Sequence, residues 1–242
     1  MRTACLLLML TFGVNILTGQ IDGRAVALGH IEQLAGAASL SGDKVFFIDS
    51  EIASFPRNDL TNPKRVKIKI YLSNDIQHYD AGIIQTYQDG NEVFFVVPDE
   101  KSVYRNNVVD SDMTANIVAM ANLQKELIKS SELTAMEEHL EDGDKKWTIN
   151  FKVLPEVTEN SGVETMAFIY NETQEQIDEV KLRFSADNQL ALQVMKYNRL
   201  SFDYRDEKMK APASDYVLNR SGQLKEDFSG YQLIDLRDTN HE

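Results

Sequence analysis

The stretch Gly82-Ile-Ile-Gln-Thr-Tyr-Gln-Asp-Gly-Asn-Glu-Val-Phe-Phe-Val-Val-Pro-Asp-Glu-Lys-Ser-Val-Tyr104 decides how this chain is read. Gly82 to Tyr87 and Glu92 to Val97 have strand composition. Between them, Gln88-Asp-Gly-Asn91 carries an Asp-Gly pair, the dipeptide that favours the positive φ angles of a tight hairpin. Pro98-Asp-Glu100 then turns the chain into a further strand, Lys101 to Asn107. Glu92 to Val97 is apolar on both faces, so this hairpin needs cover on both sides.

The two-residue period extends outward in both directions. Upstream, Val66, Ile68, Ile70 and Leu72 alternate with Arg65, Lys67, Lys69 and Tyr71, a half-buried strand with a basic outer face. Lys44-Val-Phe-Phe-Ile-Asp49 has strand composition, and within it Val45 to Ile48 is a second run apolar on both faces. Downstream, Thr134 to Glu141 turns at Asp142-Gly-Asp144 into Lys146 to Leu154, where Trp147, Ile149, Phe151 and Val153 share a side. Met166, Phe168 and Tyr170 form the next row, followed by Val180, Leu182 and Phe184. Gln189 to Tyr197 and a strand through Leu200, Phe202 and Tyr204 come next. Asp206 to Pro212 reads as a loop, and Tyr216 to Leu218 and Tyr231 to Leu236 as short strands.

Two segments follow the helical period instead. Asp22 can cap a helix from about Arg24 to Ala38, with Leu28, Ile31, Leu34 and Ala35 on one side. Met113, Ile117, Met120, Ala121, Leu127 and Ile128 mark a second helix, with Asp110, Ser111 and Asp112 as caps. The class is therefore mainly β with helices (α+β): about ten strands in two batches of hairpins, one helix before them and one between. No Pro/Gly/Ser-rich linker divides the chain, so residues 21–242 are read as one domain.

Met1 to Gln20 has the form of a secretory signal, with Arg2 ahead of the apolar stretch Leu6 to Leu17 and small residues at Thr18-Gly19. The stretch is too short to span a bilayer. Cys5, the single cysteine, lies ahead of that stretch and cannot be the acylated cysteine of a lipoprotein. An exported, periplasmic protein without thiol chemistry is expected. The net charge of −13, from 38 acidic against 25 basic residues, argues against nucleic-acid binding.

Chemistry-bearing motifs are scarce. His30 and His78 read as surface residues, and His139 among Glu137, Glu138 and Glu141 as part of a solvated strand face. None of the four histidines, His241 included, has metal-ligand spacing, and no metal or other cofactor is expected. Asp110-Ser-Asp112 lacks the glycine and distal glutamate of a calcium loop. Nucleophile elbows, phosphate loops and dinucleotide fingerprints are missing, and the expectation is a protein that is not an enzyme.

The layout resembles the periplasmic lipoprotein-carrier family (LolA/LolB-like): a signal peptide, helix, hairpins, helix, hairpins. The stretch Gly82 to Tyr104 is similar to that family's strand, Asp-Gly turn, apolar strand and further turn. Phe228-Ser-Gly-Tyr-Gln-Leu-Ile-Asp235 resembles exported members without an assigned role. The resemblance implies a curved, unclosed antiparallel β-barrel whose helices lie over its concave face and whose hollow holds acyl chains. It departs from the carriers in having no arginine between Gln85 and Asn91. The expected lining is Ile68, Ile70, Phe94, Val96, Trp147, Phe151, Met166 and Phe168, and the expected partners are lipid or lipoprotein acyl chains. The alternative is an envelope scaffold with a filled barrel, its acidic surface meeting a basic envelope protein. A monomer is expected in either case.

Overall fold

The computed structural model describes residues 21–36, 45–73, 76–108, 113–206 and 211–237. The segment expected to be a signal, Met1 to Gln20, the caps proposed at Asp110 to Asp112 and His241 lie outside the described residues. Among the described residues twelve strands form one sheet in the order β12-β6-β5-β4-β3-β2-β1-β11-β10-β9-β8-β7. Strands β1 to β6 are Val45–Pro56, Lys64–Leu72, Gln77–Asp80, Gln85–Gln88, Glu92–Val97 and Ser102–Asn107. Strands β7 to β12 are Ser131–Glu141, Asp144–Val153, Val163–Asn171, Gln176–Phe184, Leu190–Tyr204 and Gln232–Asp235. Each neighbouring pair is antiparallel except β12, which runs parallel to β6.

The sheet is curved and does not close; β7 and β12 are its two ends. Each batch of hairpins is a local meander, and β1 joins them by pairing with β2 on one side and β11 on the other. Leu190 to Tyr204 is one continuous bulged strand where the sequence suggests two. The Asp-Gly chemistry also acts differently from expectation. Gly90 does not take a positive φ; instead the Asp89 carboxylate accepts the amides of Asn91 and Glu92 at 2.7 and 3.0 Å. The positive-φ pair occurs at Asp142 (55°) and Gly143 (89°), in the β7–β8 hairpin.

Among the described residues four helices accompany the sheet: α1 (Gly23–Gly36), α2 (Met113–Lys129), α3 (Pro155–Ser161) and α4 (Ala213–Val217). Asp22 caps α1 as its position suggests, accepting the Arg24 and Ala25 amides at 3.0 and 3.1 Å. Among the described residues, no helix is long and apolar enough to cross a membrane. The segment Tyr216 to Leu218, expected as a strand, belongs mostly to α4, a helix too short to show a helical period.

Paired residues in a ladder project to the same side, so the register defines two faces. Ile52, Met195, Val180, Phe168, Ile149 and Met136 form one row across β1, β11, β10, β9, β8 and β7. α1 and α2 lie over this concave face. Ala27 and Ile31 of α1 and Ala121 and Ile128 of α2 pack into the cluster built on Ile149, Phe151, Met166 and Phe168. Two polar ties hold the helices together. Arg24 donates to the Ile128 and Ser131 carbonyls at 2.5 Å each, and Lys125 pairs with Glu32 at 2.6 Å.

Candidate functional site: an apolar cavity beneath the helices

At the centre of the concave face, β1, β2 and β11 carry Ile48 opposite both Ile70 and Leu200, and Ser50 opposite both Ile68 and Tyr197. α1 brings Leu34 over this strip and α2 brings Ala121 and Gln124. The two helices do not fill it. A cavity of about 150 Å³ remains, lined by Leu34, Phe46, Ile48, Ile68, Ile70, Ala121 and Met195, with Ser50, Gln124 and Tyr197 as its polar contributors.

Of the polar groups at the wall, Tyr197 is held by a histidine behind it. His30 of α1 sits 3.2 Å (Nε2 to Oη) from Tyr197 of β11, their rings edge to face at 5.3 Å. Burial lowers the His30 pKa to about 4 and pushes the Tyr197 hydroxyl well above its usual range, so both are neutral at ordinary pH. A neutral, mutually bonded pair adds shape to the wall without adding charge. His30, expected at the surface, is thus a core residue, because the α1 face that carries it lies against β11 rather than solvent.

The expected lining residues fall into three groups. Ile68 and Ile70 line the cavity. Phe151, Met166 and Phe168 are buried in the packed cluster under α1 and α2, and Trp147 packs against its margin, its indole N–H donated to Glu172 at 2.7 Å. Phe94 and Val96 stand on the opposite face. The register runs Tyr71, His78, Tyr87, Phe94 on one side and Ile70, Tyr79, Thr86, Phe95 on the other. Phe94 and Val96 are fully buried there with Val103, Ala213, Val217 and Phe228, beneath the C-terminal segment.

That segment covers the Phe94 and Val96 face of the Glu92 to Val97 run, while Phe95 on the other face is 37% exposed, so the expected cover on both sides is present on one. α4 lies on β4 and β5, and the chain then bridges at Leu218 and Leu224 before joining the sheet as β12. His78, expected in a loop at the surface, lies in β3 and is 4% exposed, among the rings of Tyr71, Tyr87 and Tyr216 at 6.3, 5.3 and 4.2 Å. Its pKa is lowered to about 4 by burial. His139 is exposed on β7.

Sequence reading misses Leu34, Phe46, Ile48, Ala121, Met195 and Tyr197 as cavity residues. Each lies in a segment whose apolar side is visible, but the sequence does not show which part of that side the helices leave uncovered.

The result is an unclosed, mostly antiparallel sheet wrapped around two helices, with an apolar cavity between them. No family model and no curated protein matches the sequence. Among solved structures, the chain is similar to a DUF1329 family protein from Desulfovibrio piger (9% identity, 83% of this chain and 98% of that chain covered, TM-score 0.33). A LolA superfamily protein from Nitrosomonas europaea is similar at 9% identity, with 79% and 99% covered and a TM-score of 0.29. LprF from Mycobacterium bovis is similar at 9% identity, with 77% and 96% covered and a TM-score of 0.30. These likenesses concern the course of the chain alone.

Proposed function

We propose that the protein is an exported, non-enzymatic, monomeric binder of an apolar chain, a lipid or lipoprotein acyl group, in the cell envelope. The observation that carries this reading is the unfilled cavity between the two helices and β1, β2 and β11, with aliphatic side chains around most of its wall. A volume of this size accepts a guest as large as benzene, about six carbons. Burying six methylenes contributes on the order of 5 kcal/mol before ordering costs. The reading is non-enzymatic because the cavity wall is mostly aliphatic, with Ser50, Gln124 and Tyr197 as its polar contributors.

A fatty-acid length series, measured by displacement of a fluorescent fatty acid, tests this. Affinity is expected to rise with each added methylene and to level off after about six buried carbons. Ile70→Trp fills the cavity and is expected to lower affinity at least about tenfold. Ile68→Ala enlarges it and moves the plateau to longer chains. No uptake of any chain by the folded protein would leave the filled scaffold as the better reading.

A further inference from the structure

The outer face of the sheet behind the cavity concentrates positive charge in a chain of net charge −13. On β2, Arg65, Lys67 and Lys69 project from it, all exposed. The register continues the rows onto β1, β11 and β10. Lys67 faces Glu51, which faces Lys196, which faces Glu179. Lys69 faces Asp49, which faces Arg199. Lys181 and Arg183 extend the grid on β10.

The two signs are not level. Lys67, Lys69, Lys196 and Arg199 are exposed, whereas Asp49, Glu51 and Glu179 are half-buried between them. The carboxylates are engaged within the layer: Glu51 pairs with Arg65, Glu179 with Lys181 at 2.7 Å, and Asp49 accepts the Asn198 amide at 3.1 Å. Asp80, beside Lys69 on β3, accepts the Gly82 amide at 2.8 Å. Arg199 is fixed by its stacking over Tyr204 (4.7 Å) and Phe47 (5.7 Å). Over β2, β1 and β11 the layer that meets solvent is therefore cationic, with Asp49, Glu51 and Glu179 beneath it, and exposed Glu141 borders it on the β7 side near Lys196.

We infer that this face docks the protein on an anionic phospholipid surface. Charge complementarity calls for an anionic partner, and the composition of the patch selects a membrane. Lysine, prominent in this grid, is depleted at protein–protein interfaces. Each Lys or Arg near an anionic bilayer adds attraction that fades within a Debye length. A shallow grid of long, flexible cations across four strands suits a fluid array of phosphates. The face lies opposite the cavity, and its role stands whether or not the cavity takes a lipid.

Co-sedimentation with vesicles tests the inference using the full folded chain. The vesicles are phosphatidylcholine alone or with about one-third phosphatidylglycerol, at low salt and at about 500 mM salt. The protein is expected to sediment with the anionic vesicles only, and to be released by salt. The triple variant Lys67→Gln/Lys69→Gln/Lys196→Gln is expected to bind at least about tenfold more weakly while keeping the parent circular dichroism. A matched variant, Lys101→Gln/Lys225→Gln/Lys129→Gln, removes the same charge elsewhere and is expected to bind as the parent does. Equal loss in both variants, sedimentation with neutral vesicles, or no sedimentation at low salt would each overturn the inference.

Discussion

Tyr216 of α4 stacks on Tyr87 of β4, ring centroids 5.3 Å apart and planes within 10° of parallel. Tyr216 also meets the edge of the His78 ring at 4.2 Å. The pair pins the C-terminal segment to the outer face over β4 and β5, where Phe94, Val96 and Val103 would otherwise meet water. Truncating Tyr216→Ala removes both ring contacts and is expected to cost about 2 kcal/mol. Urea unfolding should show it as a lower midpoint. Limited proteolysis should cut first between α4 and β12.

The same segment is tied by Asp89. Its second carboxylate oxygen accepts the Ala213 amide at 2.8 Å, while the first holds the β4–β5 turn. Burial raises its pKa, but the amides of Asn91, Ala213 and Glu92 outweigh this and leave it below the usual carboxylate range. Asp89→Ala should cost about 2 kcal/mol, and Asp89→Asn less, because the amide oxygen still accepts. If the two variants unfold at the same urea concentration, the acceptor role is not what matters.

His30 and His78 give the fold a defined acid sensitivity. Both have pKa values near 4 in the folded protein against about 6.5 unfolded. Between these values the unfolded chain binds more protons, so stability is full above pH 6.5 and falls as pH drops toward 4. Each histidine contributes roughly 2 kcal/mol of that loss at pH 5. His78→Phe keeps the ring packing and also removes a buried Nε2 without a hydrogen-bond partner. It is expected to flatten the decline, measured as urea midpoints at pH 7 and pH 5; an unchanged slope would place the acid sensitivity elsewhere.

Gly23 marks a close approach of α1 to the sheet. A Cβ there would lie 2.8 Å from Ile149 Cγ2 and 2.8 Å from Met136 Sδ. Met136 can swing aside, but Ile149 is fully buried in the main cluster. Gly23→Ala should therefore destabilise by about 1–3 kcal/mol despite alanine's better helix propensity, and Gly29→Ala, which meets open space, should not. Thermal unfolding of the two variants side by side checks this.

The strands were legible because their two-residue period is local. The row Val66, Ile68, Ile70, Leu72 and the side shared by Ile149 and Phe151 read correctly from alternation alone. The assignment of Phe94 and Val96 to the concave side was not legible in the same way. In Glu92 to Val97 both faces are apolar, so alternation cannot say which one looks inward. The answer depends on α4, five residues long and more than a hundred positions away. The histidines illustrate the same limit. A lone His carries no periodic signal, and the burial of His30 and His78 is set by Tyr197 and Tyr216, partners distant in sequence.

The seam between β1 and β11 has a kinetic consequence. Each meander can form from neighbouring segments, but Ser50 must find Tyr197, and Glu51 must find Lys196, across most of the chain's length. Closing so large a loop is slow, because its entropy is lost before any contact compensates. Zippering of this seam is therefore expected late in folding. A chain stalled there would present two half-shells, each with a sticky border strand open to its counterpart on another molecule.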